Sequence, residues 1–188
     1  MTKLVVEPFG LGSIEFGLPI PLESMDAYWA WQKIVTKFLF YAFLNRPACL
    51  ITVAPQKWSL GRELTTEAEI IIDSEPYLLA FRDSCSADLL TDVAQSEDFQ
   101  RGLLWLVSLS KENKAEIVDL IRAIVDSNFL LNIPRISEEL LMCGSDGNAM
   151  YWFNHHQPLV DIVQTLAGLA QSTSCNFDAT AVESLIDR

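Results

Sequence analysis

Two histidines, His155 and His156, are all the imidazole that this 188-residue chain contains. A histidine general base must therefore be one of these two, or any catalysis rests on carboxylates alone. The four cysteines, Cys49, Cys85, Cys143 and Cys175, stand far apart and form no CxxC pair. That spacing removes the usual zinc and dithiol patterns and leaves reduced thiols as the expectation. Long hydrophobic runs are also missing. The best stretch, 29–54, is interrupted by Lys33, Lys37 and Arg46 and broken by Pro47, so it falls short of the roughly 18 uncharged apolar residues that a membrane span needs. The N-terminal MTKLVVEPFG has no long apolar core of the signal-peptide kind, and no N-x-S/T sequon occurs. A cytoplasmic protein is expected.

Compact enzyme motifs are absent as well: there is no G-x-x-x-x-G-K-[ST], H-E-x-x-H, G-x-S-x-G or EF-hand loop. Gly10, Gly12 and Gly17 in GLGSIEFG follow the apolar Leu4-Val5-Val6, but the spacing misses G-x-G-x-x-G and the next segment reads as strand rather than helix. Basic residues are few, 13 Lys and Arg against 25 Asp and Glu, for a formal net charge of −12 and a pI near 4.4. Such a chain is repelled by nucleic-acid phosphates and anionic lipid, so neither nucleic acid nor membrane is an expected partner.

The acidity is concentrated. Ten carboxylates and a single cation, Arg82, lie between Glu63 and Asp98. Self-repulsion inside one segment opposes compaction unless the field is used or screened, which points to a basic partner. The rest of the chain is ordinary globular material: half of its residues are hydrophobic and a fifth are charged, enough for a sizeable core without disulfides or metal.

With no repeat and no Pro-, Gly- or Ser-rich linker, residues 1–188 read as one domain. Short strands are expected at Lys3–Val6 and Ser13–Phe16, followed by a long helix over Ser24–Asn45 stopped by the Arg46-Pro47 step. Trp29, Phe40 and Leu44 share that helix's polar arc with Gln32, Lys33, Thr36 and Lys37, so local strands or a partner must cover them. Ala48–Ala54 reads as a buried strand. Glu67–Asp73 and Tyr77–Arg82 read as a hairpin around Ser74-Glu75-Pro76, and Leu140–Cys143 with Ala149–Phe153 as a second one around an Asp-Gly turn. Helices are expected over Ser86–Gln95, Asp98–Leu109, Asn113–Ser127 and after Leu159, with Asp178 capping a short last one. The fold class is α+β, mostly helical, with a small antiparallel sheet built from the two hairpins and the short N-terminal strands.

Alternation with period two places Glu67, Glu69 and Asp73 on one face of the first hairpin arm, with Ile71 out of step. With Glu75, Asp83 and Trp58, which sits in the polar loop ahead of the acidic stretch, they make the candidate partner-binding set. The plainer reading is a solvated strand face. A divalent cation would need further ligands from Glu63 or Asp83, because strand neighbours two apart are about 7 Å apart. Cys143, Asp146, His155 and His156 are the only thiol, carboxylate and imidazole grouping, set against a plain reading of one buried Cys and two helix-start histidines.

No residue is assigned a catalytic or metal-ligating role, and no cofactor is expected. The leading expectation is an acidic cytosolic binding protein of inhibitor, immunity or chaperone type that captures a basic protein partner. The alternatives are a small enzyme using carboxylates with a divalent cation or a Cys/His site, and a subunit of a larger assembly or homo-oligomer with the apolar helix in its interface.

Overall fold

The computed structural model describes residues 3–8, 13–18, 25–53, 69–74, 77–108, 140–143, 149–153 and 158–186. The order along the chain is β1 (Lys3–Pro8), β2 (Ser13–Gly17), α1 (Met25–Phe43), β3 (Ala48–Val53), β4 (Glu69–Ser74), β5 (Tyr77–Arg82), α2 (Ala87–Gln95), α3 (Glu97–Gln100), β6 (Leu104–Val107), β7 (Leu140–Cys143), β8 (Ala149–Phe153), α4 (Leu159–Ser172), β9 (Asn176–Asp178) and α5 (Thr180–Ile186). The fold is α+β. Among the described residues the strands join into one sheet in the order β4-β5-β3-β6-β7-β8-β2-β1-β9. That is more extensive than the small antiparallel sheet expected, and not wholly antiparallel, since β1 and β9 pair in parallel.

Alternation along the strands builds the core. Leu4 and Val6 of β1, Ile14 and Phe16 of β2, Ala48 and Leu50 of β3, Leu104 and Leu106 of β6, and Met150 and Trp152 of β8 all belong to one buried cluster with helix α1. Phe38 of α1 sits at its centre, with ring centroids 4.6 Å from Phe16 and 4.8 Å from Trp152, both edge-to-face. Truncating a buried aromatic such as Phe38 to alanine costs about 3–5 kcal/mol. The opposite rows of the sheet's first half, Cys49, Ile51, Phe81, Trp105 and Val107, are buried too. Both faces there are covered, which suits their near-continuous apolar runs. In the second half the outward row is wetter: Glu7 is exposed, and Val5, Glu15 and Tyr151 are half-buried.

Two sequence expectations change. The helix over Asp98–Leu109 is instead the single turn α3, broken by Gly102 at φ 71°, and then strand β6. Its four residues, Leu-Trp-Leu-Val, are all buried, and a short apolar run after a glycine favours a strand buried on both faces. Helix α1 ends at Phe43, ahead of the Arg46-Pro47 step, because Asn45 takes the left-handed conformation at φ 59°, a common way to close a helix. The chain is then clipped to the start of α2, as Asn45 N–H donates to Cys85 O and Cys85 N–H to Arg46 O, both at 3.0 Å. The expected helix over Asn113–Ser127 lies outside the described residues. No helix among them is long and apolar enough to cross a membrane.

Candidate partner-binding surface

The hairpin β4–β5 forms, and its register separates positions 69 and 73, which simple alternation groups. Glu69 pairs with Phe81 and Ile70 with Ala80, but the next pairs are Ile72 with Leu79 and Asp73 with Leu78, a shift that leaves Ile71 as the extra residue of a bulge. Residues directly opposite share a face. Position 69 therefore falls in the row of Cys49 and Phe81, and position 73 in the row of Thr52 and Leu78, on the other side of the sheet. Arg82 is opposite Ala48 of β3, and the β5 residue opposite Glu69 of β4 is Phe81. Glu67, Glu75 and Trp58 lie outside the described residues, as do Asp146, His155 and His156. Cys143 is opposite Met150 in the β7–β8 hairpin.

Asp83 is exposed just after β5, and the acidic segment continues onto α2. Ser86 caps that helix, its Oγ accepting from Leu89 N–H at 3.2 Å, while Leu89, Leu90, Val93 and Ala94 face the core. Helical spacing then sends Asp88, Thr91, Asp92 and Gln95 to one outer ridge. Asp88 and Asp92 are exposed, one turn apart, and no ion pair neutralises them among the described residues. Glu97, also exposed, is bridged by Arg101 one turn on. Its neighbour Asp98 is buried, and desolvation, reinforced by Glu97, raises its carboxyl pKa against the pull of Arg101.

Facing this ridge is one from α1. Trp29, Gln32, Lys33, Thr36 and Lys37 recur at three- and four-residue spacing, and together with Tyr28, Thr91 and Gln95 they line an open groove of about 690 Å³. Tyr28 OH reaches Gln100 Oε1 of α3 at 3.5 Å, and Lys37 Nζ donates to Ser172 Oγ of α4 at 2.7 Å. Trp29 is 57 % exposed, its ring edge-on to Tyr28 at 5.3 Å between centroids. Gln32 is only 7 % exposed, and its Oε1 is buried without a hydrogen-bond partner. Phe40 and Leu44, from the same arc of α1, pack against the core instead.

Trp31, Trp105 and Trp152 are buried, which leaves Trp29 as the exposed tryptophan among the described residues. The sequence set Trp29 apart only as a residue that local strands or a partner must cover, and placed Trp58 in the candidate set instead; the α2 wall of the groove has no local sequence signal. No three His, Cys, Asp or Glu side chains converge as a metal site among the described residues. Cys49, Cys85 and Cys175 are buried and form no disulfide. Burial pushes the Cys85 thiol up to about 11, against the opposing pull of Arg82, so it is a poor nucleophile at neutral pH. The chain matches no family model, no curated protein and no solved structure.

Proposed function

We propose that this chain is a single-domain cytoplasmic binding protein that captures a basic protein partner, in the manner of inhibitor, immunity or chaperone proteins. The observation that carries this reading is the ridge of α2, where Asp88 and Asp92 stand exposed one turn apart without an ion-pair partner among the described residues. Like charges at that spacing cost an isolated helix about 0.2–0.5 kcal/mol, and a basic ligand would remove that cost. Asp83 is exposed shortly before the start of α2. Glu67, Glu69, Asp73, Glu75 and Trp58 remain proposed contacts, with positions 69 and 73 on opposite sides of the sheet rather than in one row.

Long-range steering by a −12 chain would speed encounter with a cationic surface and weaken as salt rises. The test is affinity capture from host lysate with the wild type and with an Asp88→Lys/Asp92→Lys variant, washed at low and then high salt. A basic protein retained by the wild type, released by salt and lost with the variant is the expected result. Equal recovery on both baits, or the same recovery at both salt concentrations, rules the reading out.

A further inference from the structure

The two helices that flank the α1–α2 groove carry opposite charge on the ridges from which its lining comes. Lys33 and Lys37 belong to the α1 ridge, while Asp88 and Asp92 belong to the ridge of α2 that also supplies Thr91 and Gln95 to the lining. No ion pair crosses the groove among the described residues, and Lys37 is held toward Ser172 instead. The α1 wall also presents the exposed Trp29 and the buried, unpartnered amide oxygen of Gln32. A buried polar atom without a partner is costly to the fold, and tryptophan, here exposed along a groove, is among the side chains enriched at interface hot spots. Together they describe a site that lacks its ligand's half of the contacts.

We propose that this groove binds an amphipathic helical segment of the partner protein, with basic residues along the edge facing α2, acidic residues along the edge facing α1, and an apolar stripe between them against Tyr28 and Trp29. This inference rests on the capture of a basic partner and specifies which part of it is read. The lining residues of α1 run from Tyr28 to Lys37, about 14 Å of helix at 1.5 Å per residue, which matches two to three turns of a bound helix. Helix-in-groove recognition uses apolar anchors at three- and four-residue spacing, and those anchors suit an opening between two ridges. The opposed charges fix the direction in which the segment lies, since reversing it sets Lys against Lys and Asp against Asp.

The test uses the full chain and fluorescein-labelled synthetic peptides read by anisotropy. One peptide has about four helical turns, a leucine stripe, lysines on one flank and glutamates on the other; a second is the same composition scrambled; a third is oligolysine. The amphipathic peptide should bind at least about tenfold tighter than its scrambled form, and Trp29→Ala should remove at least about tenfold of that affinity. Because Trp29 is exposed, this variant keeps its fold, verified by an unchanged circular dichroism spectrum. Lys33→Glu/Lys37→Glu and Asp88→Lys/Asp92→Lys should each weaken the amphipathic peptide, the first without weakening oligolysine. Equal binding of the scrambled peptide, or an unaffected Trp29→Ala, overturns the groove. If oligolysine still binds and is lost with salt and with the aspartate reversals, the basic-capture reading survives that failure. Amphipathic binding that needs Trp29 but ignores the aspartates and salt overturns both the charged edges assigned to the groove and the capture of a basic partner.

Discussion

Glu7 on β1 lies directly across from Glu15 on β2, and Glu15 in turn across from Tyr151 on β8. Two like charges at a cross-strand pair repel. Desolvation is the larger effect on Glu15, followed by the field of Glu7, and together they raise its carboxyl pKa against a lowering hydrogen bond from Tyr151. The folded state therefore holds the proton more tightly than the unfolded chain does. The associated stability is full below the ordinary glutamate range and is lost as pH rises through the folded pKa.

Glu15→Gln should accordingly stabilise the protein at pH 7 by about 0.5 kcal/mol or less, because the site is partly solvated. The difference should shrink toward pH 4. Urea unfolding of both proteins at several pH values measures it, and a Gln variant less stable than wild type at pH 7 would contradict the assignment.

Asp178 has the opposite sign. Lys3 Nζ lies 2.6 Å from its Oδ2, while the Thr180 hydroxyl and N–H donate to its Oδ1 at 2.7 and 3.1 Å. The hydrogen bond from Lys3 first, then those from Thr180, hold this carboxyl well below the usual carboxylate range. Its contribution is present above the unfolded pKa and lost as pH falls through the folded one. Lys3→Met should therefore lower the melting temperature at pH 7 and narrow its deficit as acid is added, which thermal scans from pH 7 to pH 2 would register.

Buried thiols should be silent. Cys49, Cys85 and Cys175 are 0, 0 and 7 % exposed, and with Cys85 pushed up to about 11 almost none of it is thiolate at pH 7.5. Iodoacetamide should label these three only after denaturation, with peptide mass mapping to locate the label. Rapid native labelling of Cys85 would mean that the clip between α1 and α2 opens.

Much of this architecture was legible in the chain because local rules and tertiary structure agree. Short apolar runs between turn residues marked β1, β2, β3 and β5, alternation of Ile with acidic residues marked β4, an Asp-Gly step marked the β7–β8 hairpin, and Ser86 marked the start of α2. Where the reading changed, a short-range rule gave way to a neighbour. The period of two through 67–73 is interrupted by the bulge at Ile71, whose only sequence trace is three consecutive isoleucines. Leu104–Val107 has the apolar content of either a helix or a strand, and pairing with β3 and β7 decides it. The groove depends on α2 packing beside α1, a long-range contact with no local signature, and the polar arc of α1 left open whether Trp29 is covered by the fold or by a partner.

Gln32 offers the sharpest separation of stability from binding. It lies on the buried side of α1's polar arc, 7 % exposed, with Oε1 lacking a partner, and an unsatisfied buried acceptor costs about 1–3 kcal/mol. Gln32→Leu removes that acceptor and keeps a side chain of similar length, so the variant should unfold at higher denaturant concentration, by an amount worth about 1 kcal/mol. If the amide is kept for a ligand's backbone or side chain, the same substitution should weaken the amphipathic peptide several-fold, since a ligand group that meets leucine loses its hydrogen bond on binding. A gain in stability with a loss of binding is the behaviour of a residue retained for recognition. A gain in stability with unchanged binding would make Gln32 a tolerated flaw in the packing of α1 and would leave Trp29 to carry the groove.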